Sequence, residues 1–455
     1  MNEAPSDPLG AGAECGPRDR EMLETLQRET FSYFERYANP SNGLIADKTA
    51  PQSAASIAAV GLGLSTYAVA AERGFLSWQE AIARSLAALR FFAASEQSPE
   101  PHASGYKGFY YHFLDMQSGR RAHACELSTI DTALLLAGML TVACYFDGQS
   151  GEEREIRDRA EALYRRVDWA WAADAAGTIG HGWTPERGRI PYAWDCGYSE
   201  AAILYILALG SPTHPVPSQG YLDWTATFEE KSAYGIHHLY AGPLFIHQLS
   251  QVWLDFRGIG DERNRSLGFD YFENSRRATL VQRCYGRENP QGFAHYSENV
   301  WGLTASDGPG PAVRTVGGRR REFYGYLARG APFGPDDGTV APWAMLGSLP
   351  FAPRLVCDAA RHLIERLGLK KTDRTGFHAS FNATFPETQQ NPNGWVAPFQ
   401  FGLNEGPIVL MVENYLSGLV WNLFRTCPHA LRGLRRAGFA GGWLDASALT
   451  RGPKV

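Results

Sequence analysis

The sequence predicts an all-α fold: an (α/α)6 toroid with long loops and short β-hairpins at its active-site end. Three observations carry that prediction. About twelve segments show helical apolar spacing, strand signals are few and short, and no internal repeat of the kind a solenoid needs is visible.

Residues 1–18 are rich in Pro, Gly and small polar side chains and read as a disordered tail. Helices are then expected near 19–38, 54–73, 77–95, 127–147, 151–169, 199–209, 238–256, 262–286, 338–349, 353–367, 407–423 and 428–437. In the fourth, Leu134, Leu135, Gly138 and Met139 recur at helical intervals. Short hairpin strands are expected at 108–114 and 178–183. A single domain spans 19–445, and 446–455 is a flexible tail. Long loops at 96–126, 170–198, 210–236, 287–337 and 370–405 precede alternate helices. If helices alternate in direction, those loops share one end. Long ordered loops in a compact domain tend to carry function, so that end is the expected active face.

Composition narrows the function. The formal net charge is −5, with both signs interspersed, so there is no basic footprint for nucleic acid. No stretch reaches the ~18–20 apolar residues of a membrane span. The N-terminus lacks a secretory pattern, which suggests a cytoplasmic protein as written, or a periplasmic one if the sequence has been trimmed. The seven cysteines are scattered, odd in number and never spaced CxxC; they suit buried small hydrophobes better than a zinc site or disulfide scaffold. No HExxH, GxSxG, GxGxxG or Walker pattern occurs, so no metal or nucleotide cofactor is expected. The 12 Trp and 20 Tyr, many beside Gly, Asp and Asn, suit sugar faces, although large cores also use aromatics as filler.

Four loop-to-helix junctions carry carboxylates: Glu126 and Asp131 in CELSTID, Glu200 in WDCGYSEA, Asp336 and Asp337 in GPDDGTV, and Glu405 in GLNEGP. Any one of these acids can be a helix cap stabilising the dipole. As a set facing one pole, they supply what glycoside cleavage needs, an acid for the leaving oxygen and a second carboxylate across the cleft. Glu200 is the expected acid. Trp194 and Tyr198 can desolvate it and Asp195 can repel its charge, both raising its pKa against the helix N-terminus, which favours ionisation. Substrate contacts are expected from His237, Tyr240, His247, Tyr296, Trp301, Asp307 and Phe333, together with Glu126, Trp194, Asp195, Tyr198, Asp336 and Asp337.

The segments ELSTIDTALLLAG, YSEAAILYILALGSPTHP, ENVWGLTASDGPG, YLARGAPFGPDDGTVAPW and GPIVLMVENYLSGLVW resemble the glycoamylase-like domain, which includes glycoside hydrolase family 144. The resemblance runs from about Glu24 to Phe424. It implies an (α/α)6 barrel without metal or organic cofactor, acting on β-1,2-glucan with inversion, either as an endo-hydrolase or by exo-acting release of sophorose. It places the family's acid on Glu200 and its STID acid on Asp131. Where relatives carry Asp before Q-G-P, this chain has Leu403-Asn404-Glu405. Asn404 cannot act as a base, so Glu405 and Asp131 compete for that role. A β-1,2-glucan transglycosylase and a non-catalytic glucan-binding protein are the alternatives, and starch-type action is a further one.

Overall fold

The computed structural model describes residues 14–386 and 393–449. Most of the expected tail at 1–18 therefore lies outside the described residues. Its last part does not behave as a tail: Pro17 opens the helix Pro17–Arg36, as proline suits a first turn. At the other end the helix Gly442–Leu449 runs into the expected C-terminal tail.

The chain is mostly helical. The helices Ile57–Glu72, Thr129–Tyr145 and Gly402–Leu416 are buried along nearly their whole length. A helix apolar on all sides must be surrounded by others. By contrast Gly151–Arg166 is amphipathic and charged outside, closed at its start by a Ser150–Glu153 capping box. Two of the inner helices touch backbone to backbone. A Cβ on Gly61 would lie 2.2 Å from the Leu134 carbonyl oxygen, and one on Gly138 would lie 1.9 Å from that of Gly61. Only glycine permits such an approach.

Several expected helices are broken. The 262–286 segment is two helices, Glu262–Leu267 and Tyr271–Glu288, separated by Gly268 at φ +76°. The 407–423 segment is Gly402–Leu416 and Leu419–Thr426, parted by Gly418 at φ +73°. Pro407 therefore lies inside a helix rather than opening one. The 238–256 segment starts as strand Ile236–Leu239 and becomes helical only at Leu244–Gln248. The 338–349 segment shrinks to Pro342–Leu346, and the expected 210–236 loop contains the helix Gln219–Ala226.

The β structure is small and antiparallel. A five-stranded sheet runs in the order Gly105–Tyr106, Phe109–Tyr111, Leu127–Ser128, Gly182–Thr184, Gly188–Arg189. It holds the loops before Thr129 and Ala202 together, with Leu127 opposite Trp183. A disulfide joins Cys15 to Cys357, across 342 residues, which the cysteine spacing did not suggest. Among the described residues the one cluster of possible metal ligands is Cys15, Asp19 and Cys357, and its two sulfurs are bonded to each other.

Candidate active site

A cavity of about 500 Å³ opens where inner helices begin. Four carboxylates line it: Asp47, Asp131, Glu200 and Asp307. They come from four distant segments. Asp47 lies in the loop before Ile57, Asp131 in the first turn of Thr129–Tyr145, and Glu200 in the turn before Ala202; Asp307 follows the strand Ala305–Ser306.

Local sequence fixes each acid. Ser128 caps its helix by accepting from the Asp131 amide at 3.2 Å, and its hydroxyl donates to the Asp131 carboxylate. Glu200 is held through its backbone, whose carbonyl accepts from the Ser250 hydroxyl at 2.6 Å. The Asp47 loop is pinned to the start of the helix Gly402–Leu416, where the Gly402 amide donates to the Asp47 carbonyl at 2.9 Å. Asp307 accepts at its backbone carbonyl from Ser380 at 2.7 Å.

The electrostatics separate these groups. Burial pushes Glu200 up from 4.5 to about 7, and the charge of Asp131 adds to that rise. The repelling neighbour is thus Asp131, not Asp195. The apolar wall comes from Leu134, Phe245 and Leu249 rather than Trp194 and Tyr198. Burial also raises Asp47, with Lys48 and His112 acting against it.

His112 also lines the cavity and joins two of the acids. Its Nδ1 lies 2.8 Å from Glu126 Oε1 and its Nε2 lies 3.7 Å from Asp131 Oδ1. Burial alone would lower this imidazole. The carboxylates of Asp131, Glu126 and Asp47 outweigh it and lift the pKa to about 9, so the ring is cationic at neutral pH. Glu126 is resisted by burial but held low by His112, and it reaches the cavity only through that ring.

Glu405 is not part of the lining. It is 1 % exposed, its Oε2 has no hydrogen-bond partner among the described residues, and burial holds its carboxyl well above the ordinary range. The neighbouring residues Leu403 and Asn404 face the cavity instead.

Several other expected contacts also lie elsewhere. His247 is buried, lies 3.1 Å from the Ala241 carbonyl, and is pushed down to about 3 by desolvation. Tyr198 packs against Phe228, His247 and Tyr271. Trp301 is fully buried in the core. Tyr296 and Tyr285 both donate to Asp336, at 2.8 and 2.9 Å. Asp337 forms a fully buried pair with Arg329 at 2.7 Å. That guanidinium also donates to the backbone carbonyls of Ser306, Tyr324 and Gly325, tying down segments that flank Asp307 and Tyr326. Asp336 and Asp337 therefore hold the loop rather than line the cavity. Tyr240 and Phe333 form an aromatic pair 5.5 Å apart beneath Lys231, outside the cavity lining. His237 is on an exposed hairpin, 2.8 Å from Glu230. Trp194 stacks on His181 and donates to Thr129 Oγ1 at 3.2 Å, and Asp195 is exposed in a separate depression.

Sequence reasoning missed Asp47, His112 and Tyr326. Asp47 was findable, because it too sits in a polar loop before an inner helix. His112 carried no signal beyond one polar residue in a run of aromatics.

Residues 191–428 match the Glycoamylase family model, described as "Putative glucoamylase". A curated relative, an exo β-1,2-glucooligosaccharide sophorohydrolase (non-reducing end) of Parabacteroides distasonis, is 27% identical over 475 residues, covering 96% of this chain. The chain spans 60% of that relative's length. A solved Bacteroides uniformis structure with the same glucoamylase label is 30% identical, with a TM-score of 0.81, covering 94% of this chain and 100% of its own. The endo-β-1,2-glucanase of Chitinophaga pinensis, solved with sophorotriose and glucose, is 26% identical, with a TM-score of 0.80, covering 93% of this chain and 99% of its own.

Proposed function

The chain belongs to the Glycoamylase family, and from that premise we propose that it is a glycoside hydrolase cleaving β-1,2-linked glucan in the four-acid cavity. The single observation that carries the chemistry is the placement of Glu200, a buried carboxyl raised to about 7, in one cavity with Asp131, whose charge adds to that rise. A buried, protonated carboxyl that shares a cavity with a second carboxylate supplies the acid of such a pair.

In the proposed reaction the Glu200 carboxyl donates its proton to the glycosidic oxygen as the bond from the anomeric carbon to that oxygen breaks. Water attacks the anomeric carbon from the opposite face and passes its proton to Asp131, with inversion. Exchange with solvent returns Glu200 to the acid form and Asp131 to the carboxylate. The imidazolium of His112 faces Asp131 at 3.7 Å, and Glu126 orients the ring. Asn404 on the same wall is an amide and takes no proton; of the three other wall carboxylates, Asp131 is the one whose charge acts on Glu200, and it is the base in this reading.

The β-1,2-glucan activities named for the P. distasonis and C. pinensis relatives support the substrate. The nested buried and amphipathic helices support the (α/α)6 toroid as the architecture. The Cys15–Cys357 disulfide supports work in an oxidising compartment over a cytoplasmic one. The test is a panel of α- and β-linked glucans with product chromatography and NMR of the nascent anomer. Sophoro-oligosaccharides appearing first as the α-anomer are expected. Longer or cyclic products would indicate transglycosylation, and release of glucose from starch would overturn the substrate assignment.

A further inference from the structure

A second depression, of about 320 Å³, lies on the other side of the Thr129 turn from the catalytic cavity. Its wall includes Thr129, whereas the next two residues, Ile130 and Asp131, line the catalytic cavity. The two spaces are therefore neighbours across one turn of one helix.

The lining has an unusual composition for a structural crevice. Trp171 from the short helix Trp169–Ala172, Trp183 from the strand Gly182–Thr184 and Tyr192 from the loop after the strand Gly188–Arg189 line it, all between two inner helices. Tyr192 is 68% exposed although it is a large aromatic, and no packing argument explains leaving it there. Both indoles are partly exposed. Arg189 is held in place by the Trp171 and Ala173 carbonyls, which aligns its guanidinium along the wall. Asp174 and Asp195 add carboxylates.

Flat aromatic faces interleaved with indole N–H donors, a guanidinium and carboxylates match a neutral pyranose, whose C–H face is apolar and whose hydroxyls both donate and accept. A charged ligand of either sign would meet like charge from one of these groups. Resting on the reading of the catalytic cavity given above, we propose that this depression is a second glucan-binding site, taking sugar units of the same polymer several residues away from the bond being cleaved. Holding a distant stretch of the chain raises the local concentration of scissile bonds at the cavity, so it benefits long substrates and leaves short ones alone.

The test uses the full-length protein with Tyr192→Ala and Trp183→Ala. Tyr192 is exposed, so its replacement spares the fold; thermal melting checks this for Trp183, which packs on Tyr106. Steady-state constants are measured on sophorotriose and on polymeric β-1,2-glucan. Retention of each variant is measured by electrophoresis through gels containing that glucan. Loss of retention, with KM for the polymer raised about tenfold and both sophorotriose constants unchanged, is the expected result. Unchanged retention and unchanged polymer KM in both variants would overturn the proposal. So would equal losses on triose and polymer, because these would make the depression part of the catalytic cleft or of the fold. The gel separates this outcome from failure of the cleavage reading. A wild-type protein that cleaves no β-1,2-glucan refutes that reading, while the retention comparison still decides whether this site binds sugar.

Discussion

Replacing Glu200 by Gln tests acid chemistry and electrostatics in one variant. In the folded chain the carboxyl ionises near 7 instead of 4.5. Below pH 4.5 both the folded and unfolded chains hold the proton, and the residue costs nothing as an acid. Between pH 4.5 and about 7 the unfolded chain gives up this proton while the folded chain keeps it, and above 7 both are ionised and the loss is complete. At ~1.4 kcal/mol per pH unit this removes roughly 3 kcal/mol of stability. The side chain borders an accessible cavity, so screening leaves about 1–3 kcal/mol. Glu200→Gln keeps the shape without the ionisation. It should be about 1–3 kcal/mol more stable than the parent at pH 8.5 and nearly equal at pH 4.5, by urea denaturation. Its turnover on sophoro-oligosaccharides should fall about 10²–10⁴-fold. The parent's rate should decline tenfold per pH unit above about 7 as the acid form is lost. A stability difference that does not change with pH, together with near-parent rates, would refute both the raised ionisation and the proton-donor role.

Further outcomes follow from the surrounding groups. His112→Gln should be about 1–3 kcal/mol less stable near pH 6, a difference fading as pH passes 9, because a raised imidazole stabilises the fold only while it is protonated; urea melts at pH 6 and 10 check this. Glu405→Gln should keep turnover within about threefold of the parent, and a loss beyond about a hundredfold would return Glu405 to the reaction. Reducing the Cys15–Cys357 bond should cost about 2–4 kcal/mol, read as a lower melting temperature in dithiothreitol with activity at 25 °C retained.

The fold was more legible than the site, and particular residues show why. Inner helices announce themselves by apolar sequence on every side, so Thr129–Tyr145 and Ile57–Glu72 could be placed within a few residues. The junction rule pointed at Glu200 and Asp131, because a loop entering an inner helix must deliver its first turn to the cavity. The choice between Asn404 and Glu405 could not be read. Adjacent helical residues point about 100° apart, and which one faces inward depends on where the helix begins. Pro407 suggested a start at 407, whereas the helix begins at Gly402. His112 illustrates a different limit. Its partners Glu126 and Asp131 lie 14 and 19 residues away, joined only because Tyr110 and Tyr111 pair with Ser128 and Leu127, and no local pattern encodes that register.

The crossing of Gly61 and Gly138 leaves no slack between the two helices whose ends approach the catalytic cavity. One of them carries Asp131 and the other follows the Asp47 loop, so the depth of each acid is set by main chain rather than by side chains. Substitution can exchange the groups on the wall, but it cannot slide one helix along the other to retune their spacing. A larger residue at either glycine would therefore disturb the reaction from deep in the core, even though it touches no sugar.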